Sequence, residues 1–193
     1  MADNLDPDEV RSLGTGTVYI GAVGATEPAD YDETPDDAEW YEVGHLSDAG
    51  PRFSFGKSRT PIRSWQSYPD PVRTLAGESI NTIAADLLQW NRDNFEYAMG
   101  GGDWTDDGGG LYTFEPADAS ADNEKALIVE GIDGDYGYRF IFRRTEVQSN
   151  VEFAFTPTAL APLAITATVL AAPTGLKPWK FQTNDPAFVA LGS

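Results

Sequence analysis

From Gly14 onward the chain breaks into short apolar runs separated by glycine, proline and acidic stretches, and many of these runs alternate with the period of two that a pleated strand requires. GTGTVYIGAVGA (14–25) sets β-branched and aromatic residues between glycines, which predicts a strand with close backbone neighbours. WYEVGHLS (40–47) predicts the next strand. KALIVEGI (125–132), YRFIFRRTEV (138–147), NVEFAFTP (150–157) and LAITATVLAA (163–172) continue the pattern. Tyr138, Phe140 and Phe142 fall on one face, and GDYG (134–137) supplies the turn before them.

The stretch ESINTIAADLLQW (78–90) sets two signals against each other. Ile80, Ile83, Ala84, Leu87 and Leu88 match one face of a helix, so periodicity alone predicts helix, while a strand leading into a short helix is the competing reading. NRDNFEYAM (91–99) predicts that short helix, with Asn91 as N-cap and Gly100, Gly101 and Gly102 as the stop. Polar or Gly/Pro-containing segments predict loops at 27–39, 103–110 and 115–124, and a long loop at about 48–74. Residues 1–13 read as a polar N-terminal arm. Residues 173–193 read as a Pro-punctuated C-terminal arm whose apolar anchors Leu176, Trp179, Phe181 and Phe188 pack on something. What lies between, 14–172, is expected to be a single domain, as the length of 193 residues allows.

Composition narrows the function classes. Hydrophobic residues make up 41% and aromatics 12%, too much apolar material for a disordered chain. No run approaches the roughly 18–20 apolar residues of a membrane span, and the N-terminus has no basic-then-apolar export signal, so neither Sec export nor a membrane anchor is expected. The absence of cysteine excludes disulfides, thiolate metal sites and a Cys nucleophile. A single histidine, His45, excludes His-paired metal sites within one chain.

The formal net charge of −18 is unevenly spread. Residues 1–50 hold 13 acids against one base and 101–150 hold 11 against four, whereas 51–100 hold five against six. Such a balance disfavours nucleic-acid binding, which depends on Lys and Arg neutralising phosphates, and leaves repulsion of a duplex open. The basic excess in 51–100 is the one region able to meet acidic neighbours.

Chemistry-bearing motifs are weak. FGKS (55–58) lacks the glycine spacing and following helix of a phosphate loop. GTG (14–16) with Gly21 and Gly24 sits inside a strand pattern with no βαβ unit. Asp103, Asp106 and Asp107, or Asp133 and Asp135, match no calcium-loop spacing and read as turn residues. No catalytic residue, metal site or cofactor is expected.

Taken in order, GTGTVYIGAVGATEPAD, WYEVGHLSDAG, IRSWQ (62–66), TIAADLLQWNRDNFEYAMGGG and RFIFRRTEV…VEFAF…LAITATVLAA resemble the major tail tube proteins of long-tailed double-stranded DNA bacteriophages, especially those of actinobacteria. The resemblance covers most of residues 12–172 as a pattern of segments. It implies a mainly β, sandwich- or barrel-like fold with one short flanking helix and extended arms, strand for about 79–88 and helix for 91–99. It also implies six copies closing a ring, with rings stacking into an acidic tube through which DNA leaves without being bound. Expected partners are copies of the chain itself and other tail proteins such as the tape measure and terminator, in the virion tail. Candidate contacts between subunits or rings are Lys57, Arg59, Arg63, Trp65 and Arg73 in the 48–74 segment, with Trp179 and Phe181 in the C-terminal arm. Two rival readings are another virion protein of related fold, such as a tail terminator or head decoration protein, and a monomeric carbohydrate-binding β-sandwich with Trp40, Trp65, Trp90 and Trp104 as stacking platforms.

Overall fold

Alternation of buried and half-buried positions along the strands builds the core in the computed structural model, which describes residues 9–118, 123–148, 151, 155–158, 160–173 and 175–189. In chain order the strands are β1 (Val18–Ala22), β2 (Trp40–Glu42), β3 (Arg52–Arg63), β4 (Pro71–Leu87), β5 (Gly102–Gly108), β6 (Leu111–Pro116), β7 (Glu124–Asp133), β8 (Tyr136–Val147), β9 (Leu163–Val169) and β10 (Trp179–Thr183). One helix, α1 (Arg92–Ala98), follows β4. The fold is mainly β and sandwich-like, as expected.

Eight strands form one antiparallel sheet, seven of them in the order β2-β1-β7-β8-β9-β4-β3 and the eighth, β10, paired to β8 off this path. β8 is shared: Tyr138–Phe142 pair with β10, and Thr145–Val147 pair with β9. This change of partner lets the sheet turn a corner and enclose a core of Val18, Ile20, Ile83, Leu87, Leu127, Val129, Phe142, Leu163, Ile165 and Val169. Burying each large aliphatic or aromatic side chain of that set contributes about 1.5–3 kcal/mol.

The conflict over 78–90 resolves as strand. Ile83, Ala85 and Leu87 are buried alternately along β4, while Ile80 is exposed. Backbone pairing to β3 on one side and β9 on the other outweighs the helical spacing, because both ladders would be lost in a helix. The helix comes next, as expected: Asn91 Oδ1 accepts from the Asn94 N–H at 2.8 Å. Gly100 and Gly101, both at positive φ, close it, with the Gly101 N–H donating to the Glu96 carbonyl at 2.9 Å.

Four expectations need correction. The segment 48–74 is not a long loop: most of it belongs to the β3–β4 hairpin, whose turn carries a short 3₁₀ segment at Trp65–Ser67. The expected loop at 103–110 is largely β5, which pairs with β6 in a separate two-stranded sheet. The C-terminal arm contributes β10 to the main sheet, because Trp179 and Phe181 find apolar partners on β8. Of the strand expected at 150–157, residues 150 and 152–154 lie outside the described residues, while Val151 and Phe155–Pro157 are not in a strand.

The outer face of β1, β7 and β8 is also buried, by Trp40, Ala126, Ile128 and Ile141. Gly21 lies opposite Trp40 in the β1–β2 ladder, and a Cβ there would stand 2.7 Å from the indole, so this glycine makes room for the ring. The Trp40 Nε1–H donates to the Thr26 carbonyl at 2.8 Å.

Candidate functional site

The β3–β4 hairpin is the feature that one copy of the chain leaves unsatisfied. Every residue from Ser54 to Arg63 and from Tyr68 to Ile80 is exposed, so this part of the hairpin has no body beneath either face. At about 3.3 Å per residue it projects roughly 30 Å. A two-stranded ribbon standing alone in water is marginal. This one nevertheless presents Ile62, Trp65, Tyr68, Val72 and Leu75 to solvent, with Trp65 at 89% exposure. β3 is also the last strand of the sheet, and Pro61 is tolerated there because an edge strand has one side without a ladder.

The sequence-derived basic residues gather on this hairpin. Lys57 faces Ser79, Arg59 faces Ala76 and Arg73 faces Ile62 across the ladder. Arg63 donates from Nε to the Pro69 carbonyl at 3.0 Å and so braces the turn. Lys57, Arg59, Arg63, Trp65 and Arg73 therefore share one projecting element. Trp179 and Phe181 do not lie on it. They line up on β10 at the hairpin's base, with Phe55 to Trp179 at 5.3 Å and Phe140 to Phe181 at 4.7 Å between ring centroids.

Two arginines of β8, missed in the sequence, hold down the acidic segment 26–39. Arg143 makes a two-pronged contact with Glu27, at 2.5 Å from Nε to Oε1 and 3.0 Å from Nη2 to Oε2. Arg139, 2% exposed, pairs with Glu130 and donates to the carbonyls of Asp30 and Glu33. The signal was available as arginines flanking the apolar run Phe140–Phe142, since a buried cation needs acceptors.

The terminal segments are tied to each other as well. Arg11 donates from Nε and Nη2 to Asp185 at 2.6 and 2.8 Å, and the Tyr138 hydroxyl donates to the same carboxylate. Hydrogen bonding from Arg11 holds the Asp185 carboxyl well below the usual carboxylate range. Elsewhere, burial pushes the Tyr97 phenol up.

A second exposed feature is an aromatic cleft between α1 and the β5–β6 hairpin, with a volume of about 650 Å³. Phe95 stands edge-on to Phe114 at 5.1 Å and 89°, Trp104 packs on Phe114 at 5.0 Å, and Trp90 lies 5.7 Å from Phe95. The aromatic spacing of the sequence contained this cluster, but the strand character of β5 and β6 was hidden by their aspartates and glycines.

As for the sugar-binding alternative, Trp40 is 3% exposed and covered by the 26–39 segment, so it cannot serve as a stacking platform. His45 is exposed, and its backbone N–H donates to Gln89 Oε1 at 2.6 Å. Among the described residues there is no group of three or more His, Asp or Glu able to hold a metal ion, and no helix is long and apolar enough to cross a membrane.

A family model described as phage tail tube protein matches residues 3–191. No curated protein matches this chain. A match across nearly the whole chain agrees with the order of segments and with the mainly β fold. The chain belongs to the phage tail tube protein family, and is a structural component of the virion tail rather than an enzyme.

Proposed function

We propose that six copies close a ring and that rings stack into a hollow, acid-lined tube through which DNA is ejected. The observation that carries this reading is the β3–β4 hairpin, exposed on both faces yet rich in apolar side chains. Such a ribbon gains stability when another copy covers it, and a ring removes the open edges that a lone sheet presents. Among the described residues the outer edges of β2, β3 and β10 have no strand partner. Lys57, Arg59, Arg63, Trp65 and Arg73 then meet neighbouring subunits or rings, and the half-exposed ring of Trp179 and its neighbour Phe181 sit where the hairpin leaves the body. A net charge of −18 per copy supports an inner surface that repels a duplex rather than holding it. Tape-measure and terminator proteins of the tail would set the length of the tube and its end.

The test is electron microscopy of the purified chain beside a variant in which residues 57–79 are replaced by a two-residue turn. The parent is expected to form rings or tubes with a bore wider than the roughly 20 Å of a duplex, and the variant folded monomers. Compact monomers from the parent at every concentration, or tubes from the variant, would overturn the reading.

A further inference from the structure

The aromatic cleft and the hairpin turn are complementary in two independent respects, and both are found on the same chain. Beyond Gly56 the β3–β4 hairpin carries Lys57, Arg59, Arg63 and Arg73 against a single acid, Asp70, up to Gly77. The β5–β6 hairpin that forms one wall of the cleft carries Asp103, Asp106, Asp107 and Glu115 and no base; of these Asp106 lines the cleft itself, where Arg92 of α1 also lies. Among the described residues none of those four acids has an ion-pair partner within the chain, nor have Lys57, Arg59 or Arg73. The apolar parts match as well. Trp65 and Tyr68 stand exposed at the turn, while the cleft is bounded by Trp90, Phe95, Trp104 and Tyr112, with Leu111 and Tyr112 themselves exposed.

Trp65 is 89% exposed, so it does not fill the cleft of its own chain. We propose that the cleft between α1 and the β5–β6 hairpin receives the β3–β4 turn of a second copy, with Trp65 as the aromatic anchor and the basic strands lying along the acidic β5–β6 hairpin beside Asp106. This rests on the tube reading and adds which surface receives the hairpin. A cavity of about 650 Å³ is roomy enough for an indole, and a buried Trp shielded from water by the contacts around it is a usual dominant contact. Opposite charges around it fix the register and speed encounter, and weaken with salt.

The absence of cysteine allows a clean cross-linking experiment. Gln66→Cys, beside the anchor, is placed on a copy bearing a mass tag, and Thr105→Cys, in the cleft wall, on an untagged copy. The two are mixed, assembled and oxidised. A covalent heterodimer of intermediate mass is expected in the assembled fraction. Tubes that form without that heterodimer, or with 66–66 links alone, would overturn the docking while leaving the tube reading intact. Failure of the unmodified parent to assemble would remove both. In parallel, Trp65→Ala should raise the concentration needed for assembly at least tenfold with an unchanged melting temperature, and Asp106→Lys with Asp107→Lys should do the same. An unchanged assembly threshold in both would count against the cleft as receptor.

Discussion

Phe55 and Trp179, separated by more than half the chain in sequence, meet with ring centroids 5.3 Å apart and planes tilted by 40°. This contact marks the point where the hairpin stops being part of the body. Inward of it, Phe53 packs on Phe140 and Phe142 at 5.2 and 5.6 Å. Outward of it the hairpin strands are exposed on both faces. The C-terminal strand therefore acts as the buttress of the projecting hairpin.

Trp179→Ala tests the buttress. Losing the ring contacts with Phe55 and Phe140 and the partly buried indole should cost about 1–3 kcal/mol. The loss should be local first. Hydrogen exchange at the base of the hairpin, Phe53–Gly56, is expected to quicken well before that of Ile128 or Ile141, which are fully buried in the middle of the sheet. Uniform acceleration across both regions would show that the hairpin base has no separate support.

Arg139→Ala should be more damaging than its position near the surface layer suggests. It removes the partner of Glu130 and leaves the carbonyls of Asp30 and Glu33 without a donor beneath the acidic segment. The expected cost is about 3 kcal/mol, measured by urea unfolding, because the change removes an almost fully buried guanidinium together with its ion pair and two hydrogen bonds. Arg139→Lys should recover little, since one ammonium cannot reach three acceptors in the fork geometry of a guanidinium.

Gly21→Val separates a packing role from a conformational one. The Gly21 φ is not in the left-handed region, and valine favours strands. A Cβ at this site nonetheless stands 2.7 and 2.9 Å from two indole carbons of Trp40. The variant should lose about 1–3 kcal/mol through overpacking, and Trp40 fluorescence should shift to the red as the ring is displaced. A variant as stable as the parent would mean that the indole can move at little cost.

How much of this could be read beforehand depended on whether an element buries a face within one copy. β8 was legible because Tyr138 and Phe142 have partners in the same chain. α1 was legible because its cap and its glycine stop are local chemistry. The outer halves of β3 and β4 show no alternation, since neither face meets a core in a single copy, and Pro61 further blurs the strand. β5 and β6 were hidden for a related reason: Trp104 and Phe114 pack on Phe95 of α1 from among aspartates and glycines that ordinarily mark turns. The basic candidates of the hairpin were visible as a local reversal of charge. The cleft was not, because it is made by three elements that only the fold brings together.

The Arg11–Asp185 clasp gives a pH dependence whose sign follows from the lowered carboxyl. Asp185 is faced by the Arg11 guanidinium, the Tyr138 hydroxyl and the Ala187 N–H, all of which favour the carboxylate. In the unfolded chain the same group takes up a proton near pH 4. As the pH falls below about 4 the unfolded state binds that proton first, so the clasp's contribution is fully present above that value and is lost as the pH falls toward the lower folded value. Asp185→Asn should therefore be less stable than the parent at pH 7, with the difference in urea midpoint shrinking at pH 2.5. Arg11→Ala should show the same convergence, because it removes the cause of the shift. Glu124, lowered by Arg144, adds its own acid sensitivity to parent and variants alike, so the difference between them is the quantity to follow. A gap that stays constant from pH 7 to pH 2.5 would show that the clasp stabilises through packing and not through the charge on Asp185.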